Sequence, residues 1–367
     1  MRSAIILAAG KGTRMKSALN KVMHPVSNKP MIGHIVCSLR KAGVDNIVVV
    51  VGHGAESVRE YLGDSVRYAV QEPQLGTGHA VMQAQCLADL DGDTLSLNGA
   101  GPCIPSATID RVFAANADSE MTVLTAVLPD GERYGRIIRN AEGYVERIVE
   151  AKDCTPQELA VTEINTGIFC FKNRLLFAHL KEIRNDNAQQ EYYLTDLVAI
   201  FNQCGLRVNA LVADDPQETM GVNDRIDLAK AQKWMTRHEC ERHMRNGVTI
   251  IDPETVYIDV GVKIGADTVI YPNVIIQGDT VIGERVTILS NSFLRNAVIA
   301  DEVCIDSSKI VESSVGARTT IGPMSHLRNH TEIAEDCRIG NFVEFKNSHF
   351  GKGSKCAHLT YVGDADV

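Results

Sequence analysis

Three things are scarce in this sequence, and each scarcity excludes a class of protein. There is no basic excess. Among 367 residues, 46 Asp and Glu outnumber 37 Lys and Arg, the net charge is −9, and the isoelectric point lies near 5.7. Coating a nucleic-acid backbone requires a basic face, so no nucleic-acid partner is expected. A phosphorylated small substrate stays open, because it needs only a few local Lys and Arg. There is no long apolar run either. Residues 4–9 fall far short of the ~20 that a spanning helix requires. The stretch is too short for a signal-peptide core, and Lys11 and Arg14 follow it closely. Membrane insertion is therefore not expected. Paired cysteines are the third lack. The ten cysteines (37, 86, 103, 154, 170, 204, 240, 304, 337, 356) lie far apart with no CxxC. They read as reduced thiols used as small apolar residues, and a cytoplasmic protein is expected.

The length exceeds one ordinary domain, for which roughly 100–200 residues is the usual span. Up to residue 223 the chain alternates short apolar runs with amphipathic stretches. The runs are residues 3–7, Asn46–Val51, residues 94–97 and Met121–Val127; residues 31–42 and 78–88 read as helices. This order predicts an α/β fold with a mostly parallel sheet covered on both faces. In such sheets, ligands sit beyond the carboxyl ends of the strands.

Beyond residue 257 the period becomes six. Ile258, Ile264, Ile270, Ile276, Ile282 and Ile288 form a row that Leu294 continues; after a one-residue slip it resumes at Ile299 and Ile305, and it reappears at Ile321, Leu327, Ile333, Ile339 and Phe345. Neither a helix nor a plain strand repeats by six. A three-faced prism with one aliphatic residue per face pointing inward does. Residues 224–245 read as a joining helix, with Asn223 as N-cap and Asn246-Gly247 as its stop. It would be ~30 Å long, enough for a strut. His238 and His243 in it are five apart, so they miss the zinc spacing of HExxH and read as a solvated face. The expected domains are 1–223, a linker helix 224–246, and 247–367.

The first run leads into Leu7-Ala8-Ala9-Gly10-Lys11-Gly12-Thr13-Arg14-Met15. It has neither Walker A spacing nor the third glycine of the dinucleotide fingerprint. Small residues at 8–10 would let backbone lie against a flat base. Arg14 and Lys21 would then reach phosphates, as a fork and a point charge.

With Leu19-Asn20-Lys21-Val22 this segment resembles the signature of nucleotide-sugar pyrophosphorylases. Gln71-x-x-Gln74-Leu75-Gly76-Thr77-Gly78-His79-Ala80 resembles their nucleobase loop. Tyr134-Gly135-Arg136-Ile137, Ile148-Val149-Glu150, Asn165-Thr166-Gly167 and Gly221-Val222-Asn223 follow in family order. Adding Gly340-Asn341-Phe342-Val343-Glu344-Phe345-Lys346 and His358-Leu359-Thr360-Tyr361-Val362-Gly363-Asp364-Ala365, the whole chain is similar to the bifunctional N-acetylglucosamine-1-phosphate uridyltransferase / glucosamine-1-phosphate N-acetyltransferase family.

The resemblance implies a Rossmann-like nucleotide-diphospho-sugar transferase domain, a linker helix and a left-handed parallel β-helix. It implies UTP, N-acetylglucosamine 1-phosphate and UDP-N-acetylglucosamine as ligands, Mg2+ as cofactor, acetyl-CoA as cosubstrate and a homotrimer through the β-helix. Uridine recognition would fall to Leu7, Ala8, Ala9, Gly10, Gln71, Gly76 and Thr77, with Asn98 and Gly99 beside them. Arg14 and Lys21 would bind and activate the triphosphate. Gly135, Glu150 and Asn165 would hold the amino sugar, and Asn223 would ligate the metal. On the β-helix, Arg328, Lys346 and Tyr361 would contact the second substrate, and His358 would act as base. Gln190-Glu191-Tyr192-Tyr193-Leu194-Thr195-Asp196 would support the sugar pocket, whereas the lysines of residues 351–355 read as a solvated turn.

Two departures stand out. Ala100, in Leu97-Asn98-Gly99-Ala100-Gly101-Pro102, occupies the place of the family's metal-binding aspartate, which implies an engineered or a naturally impaired site; Asp91 and Asp93 lie at the wrong end of the strand. The family's prism also continues past the last residues here, through further asparagines and much of the coenzyme A groove, so useful acetyltransferase activity is not expected. A pyrophosphorylase of other specificity and a non-catalytic scaffold or regulatory homologue are the competing functions.

Overall fold

In the computed structural model, which describes residues 1–131, 133–187 and 189–367, the apolar runs of the first half become strands of one sheet. They are β1 (Arg2–Ala8), β2 (Asn46–Val51), β3 (Arg67–Val70), β4 (Asp93–Asn98) and β5 (Met121–Val127). These are joined by β6 (Arg136–Arg139), β7 (Val145–Val149), β8 (Glu163–Lys172) and β9 (Val208–Val212). The order is β9-β5-β8-β4-β1-β2-β3, with β6 pairing β8 and β7. β1 runs parallel to β2 and β4, and β8 runs antiparallel to β4 and β5. Ala4, Ile5 and Ile6 of β1 and Val48 to Val51 of β2 are fully buried, as strands covered on both faces must be. This sheet and its helices form one compact unit, Met1–Ala231.

The helix α1 (Met31–Lys41) buries Met31, Ile32, Ile35 and Leu39, a 3.6-residue stripe. The helix read at 78–88 is shorter and broken. It comprises α2 (Thr77–Met82) and a separate 3-10 turn, Gln85–Leu87. The carbonyls of Leu87 and Leu90, which a continuing helix would use itself, accept from Asn173 Nδ2, both at 2.7 Å.

The second unit, Gln232–Val367, is a left-handed parallel β-helix. One face stacks Ile250, Ile270, Ile288, Ile305, Ile321 and Ile339, and a second stacks Ile258, Ile276, Leu294, Ile310, Leu327 and Phe345. The third stacks Ile264, Ile282, Ile299, Val315, Ile333 and Phe350. The interruption between Ile305 and Ile321 in the sequence row is filled by Ile310 and Val315, both buried. Each follows its predecessor by five residues instead of six, as Ile299 and Phe350 also do. The corners use left-handed backbone at non-glycine residues such as Asn273 (φ 63°) and Asn291 (φ 63°).

The joining helix α3 (Arg225–Arg245) forms where it was read, but its cap differs. Asp224, not Asn223, caps it: Asp224 Oδ1 accepts from the amides of Ile226 (2.9 Å) and Asp227 (3.0 Å). An aspartate serves both as an amide acceptor and as a negative charge at the positive end of the helix dipole. Asn246-Gly247 does stop the helix, with Gly247 at φ 90°. The solvated-face reading of its histidines holds for His238, which is exposed, but not for His243. His238 stacks on Trp234, with centroids 4.6 Å apart, and His243 is 2 % exposed. No helix among the described residues is long and apolar enough to cross a membrane.

Candidate active site

The cleft lies beyond the carboxyl ends of β1 and β4, where a parallel sheet places its ligands. It has two adjoining lobes of about 490 and 500 Å³ that share Leu7, Thr77, Asn98, Arg133, Glu150 and Asn165. That size suits a ligand of sugar-nucleotide dimensions.

One wall is the backbone of Leu7, Ala8, Ala9 and Gly10 leaving β1. A Cβ at Gly10 would meet no protein atom within 4 Å, so the backbone there is open to a ligand. The facing wall begins at Gln71, whose amide donates to the Val51 carbonyl at 2.9 Å and fixes the residue just past β3. Its side-chain Nε2 donates to the Gly76 carbonyl at 2.9 Å, which leaves Oε1 as the acceptor it offers. Gly76 has to be glycine. Its φ is +103°, and a Cβ would stand 2.6 Å from the Tyr192 carbonyl oxygen. The residue 190–196 segment, expected to support the sugar pocket, braces this loop. The Tyr192 amide donates to the Leu75 carbonyl at 2.8 Å, and the Leu194 amide donates to Thr77 Oγ1 at 3.0 Å.

The second lobe is shaped by a bulge in β8, where the pairing with β5 shifts between Asn165 and Ile168. Bulges re-aim side chains, and this one turns Asn165 into the cleft. The Asn165 amide donates to the Gly135 carbonyl at 2.8 Å, and its Oδ1 accepts from the Gly167 amide at 3.0 Å. Glu150 lies opposite, and burial pushes its carboxyl pKa up.

The remaining end is cationic. Asn223 Oδ1 accepts from Arg14 Nη2 at 3.1 Å and from Lys21 Nζ at 3.2 Å. Burial, and then repulsion from Arg14, lower the Lys21 pKa to about 8. Arg133 enters the same region, and its Nη2 pairs with Asp227 Oδ2 at 2.8 Å. The Val222 amide donates to the Ala100 carbonyl at 2.8 Å, which ties the end of β4 to the segment carrying Asn223.

The magnesium ion implied by the family resemblance does not fit these donors. Magnesium takes hard oxygens, commonly one or two carboxylates beside the ligand's phosphates. Here the site offers one carboxamide oxygen already held by two cations, and Ala100 contributes no side-chain oxygen.

Of the residues singled out from sequence, Leu7, Ala8, Ala9, Gly10, Lys21, Gln71, Gly76, Thr77, Asn98, Gly135, Glu150, Asn165 and Asn223 line the cleft together with Ala100. Gly99 does not line it; its amide donates to the Leu7 carbonyl at 2.9 Å, so its part is to join β4 to β1. Arg14 does not line it either and reaches the site through Asn223. Sequence reasoning missed Arg133, Asp227 and Arg225. The last donates to the Met15 carbonyl at 3.3 Å behind the loop that carries Arg14. A cation next to Tyr134-Gly135-Arg136 was the only available signal for the first.

In the second unit, strand register sets Arg328 beside Lys346 and Glu344 beside Tyr361. Arg328 Nε pairs with Glu344 at 2.7 Å, and Lys346 Nζ with Asp364 at 3.1 Å. His358 is exposed and stands beside Asn341. Lys352 pairs with Glu335 at 2.6 Å on the surface, as its solvated reading requires. His179, Glu182 and Cys204 bring potential metal-ligating atoms within 4.8 Å of one another, but none of the three lines the cleft.

Fold and cleft together define a sugar-nucleotide-type nucleotidyl transferase carrying a β-helix, and comparison with known proteins agrees. The nucleotidyl transferase family model matches residues 3–217, and that of the GMPPB C-terminal domain matches residues 253–350. A crystal structure of a putative glucose-1-phosphate thymidylyltransferase from Bacillus anthracis superposes with a TM-score of 0.52 at 22% identity, covering 63% of this chain and 94% of that one, a likeness of fold. The bifunctional protein GlmU of Geobacillus sp. (strain WCH70) is 50% identical over 100% of this chain and 80% of its own length. That of Listeria monocytogenes serotype 4a (strain HCC23) is 47% identical over 100% and 81%. The chain belongs to the family of the bifunctional protein GlmU.

Proposed function

We propose that the first unit transfers a uridylyl group from UTP to N-acetylglucosamine 1-phosphate, giving UDP-N-acetylglucosamine and pyrophosphate. An oxygen of the sugar phosphate forms a bond to the α-phosphorus, and the bond to the bridging oxygen of pyrophosphate breaks in line with it. The chain's part is to position and to neutralise. Gln71 Oε1 accepts from a base that carries a ring N–H, as uracil does. Asn165 and Glu150 accept from or donate to sugar hydroxyl and acetamide groups, and Arg14 and Lys21 face the phosphates. In members that use magnesium, the ion would shield the α-phosphate and the leaving group.

The observation that carries this reading is the convergence of three separated segments, residues 7–10, 71–77 and 221–223, on one cleft with a glycine-lined wall at one end and paired cations at the other. Isothermal calorimetry with UDP-N-acetylglucosamine tests it. Binding that Gln71→Ala weakens by about tenfold or more is expected. Preference for another sugar nucleotide would point to a different pyrophosphorylase. No binding to any would leave a non-catalytic homologue, a reading that Ala100 alone favours.

For the second unit we propose that it carries the glucosamine 1-phosphate side of the family's acetyl-transfer site. Arg328 and Lys346 would hold the sugar phosphate, Tyr361 would contact the same substrate, and His358 would take the amine proton. The adjacent register of Arg328 and Lys346 supports this. A homotrimer packed through the flat faces of the β-helix belongs to the same proposal, and sedimentation equilibrium tests it.

A further inference from the structure

The cationic end of the cleft carries the wrong charge for a metal site and the right one for an anion. A divalent cation would have to sit on Asn223 Oδ1, about 2.1 Å away, on the oxygen that Arg14 Nη2 and Lys21 Nζ already hold at 3.1 and 3.2 Å. Displacing both cations from that oxygen would bring no carboxylate in return. Asp227 accepts from Arg133 Nη2 and from the Asn223 amide, Asp224 caps α3, and Ala100 presents a methyl group.

The two cations, by contrast, converge on a neutral oxygen, and neither forms a direct ion pair among the described residues; Asp227 and Asp224 act on them only at longer range. A chain of phosphates satisfies both at once, by forked hydrogen bonds from the guanidinium and a point contact from the ammonium. We infer that this end of the cleft takes a polyphosphate free of divalent metal, either inorganic pyrophosphate or the triphosphate of a nucleotide. For the nucleotide this rests on the uridylyl-transfer reading; for pyrophosphate it stands without it. Magnesium that binds the ligand in solution cancels negative charge that Arg14 and Lys21 would otherwise meet, so here it competes with the protein.

The test is calorimetric titration of the intact chain with inorganic pyrophosphate and, separately, with UTP, each in EDTA and in millimolar magnesium. Pyrophosphate is expected to bind in EDTA and to bind about threefold or more weakly once magnesium is added. Arg14→Gln and Lys21→Gln should each weaken the metal-free binding by about tenfold. Ala100→Asp should reverse the sign of the magnesium effect. Failure of pyrophosphate to bind in EDTA, or tighter binding by the unsubstituted chain on adding magnesium, would overturn the inference. If pyrophosphate binds without metal and UTP does not bind at all, the inference survives and the nucleotide reading falls. If UTP binds only with magnesium, the inference falls and the nucleotide reading stands.

Discussion

At the scale of single residues, position 100 decides how the cleft handles charge. Ala100 lies just past β4, and its carbonyl accepts from the Val222 amide, so position 100 is tied to the segment that carries Asn223. What is missing is the carboxylate. Asn223 Oδ1 consequently serves two cations, Arg14 and Lys21, and has no partner in binding a metal. Restoring a negative oxygen there should draw the cations off Asn223 and create a pair of hard oxygen donors. Ala100→Asp should therefore raise pyrophosphate release from UTP and N-acetylglucosamine 1-phosphate by at least about 100-fold in the presence of magnesium, the scale of effect seen for well-placed electrostatic groups. A coupled phosphate assay measures it, and no gain from that one change would refute this account of the site.

At the scale of elements, the β-helix and the second half of α3 invite two measurements. Each coil of the prism holds one aliphatic side chain per face, and Ile288 is fully buried between Ile270 and Ile305. Ile288→Ala should destabilise this unit by about 3 kcal/mol through lost transfer energy and a residual cavity. Outward-facing Thr287→Ala should change it by less than about 0.5 kcal/mol. Urea midpoints followed by circular dichroism compare the two.

On α3, His243 is buried next to Arg242, whose Nη2 lies 2.9 Å from His243 Nε2. Burial first, and then that charge, lower its pKa from 6.5 to about 4. Between those values only the unfolded chain binds the proton. The stability is thus intact above pH 6.5 and declines as the pH falls toward 4, by on the order of 3 kcal/mol. His243→Gln should flatten the fall in urea midpoint between pH 7 and pH 5.

These elements also mark what a linear reading can reach. Apolar spacing by six is local, so Ile258 through Leu294 could be placed on the prism directly. Ile310 escaped because consecutive five-residue steps, to Ile310 and then to Val315, shift the phase twice within one coil. The glycine loop and Gln71-Gly76 were legible as local motifs. The Arg133–Asp227 pair, 94 residues apart in sequence, had no local trace. Asn223 and Asp224 compete for one capping role, and only the hydrogen bonds separate the capping residue from the one that faces the cleft.

At the scale of the whole molecule, the described residues form two units whose apolar interiors are built on different periods. Phe171, Phe201 and Val48 belong to the first, and Ile288, Leu327 and Phe345 to the second. Every cleft residue named above lies within Met1–Ala231. A ligand that binds there stabilises only the unit whose folding creates the cleft, by RT ln(1 + [L]/Kd), or about 2.7 kcal/mol at one hundred times Kd. Scanning calorimetry of the intact chain should therefore resolve two transitions, one for each core. UDP-N-acetylglucosamine should raise the midpoint of one transition by several degrees and leave the other where it was. Ile288→Ala should lower the other and leave the ligand-sensitive one in place. Because the two perturbations act on different cores, their effects should add without cross-talk. A single transition that both ligand and substitution move together would mean that the two cores unfold as one.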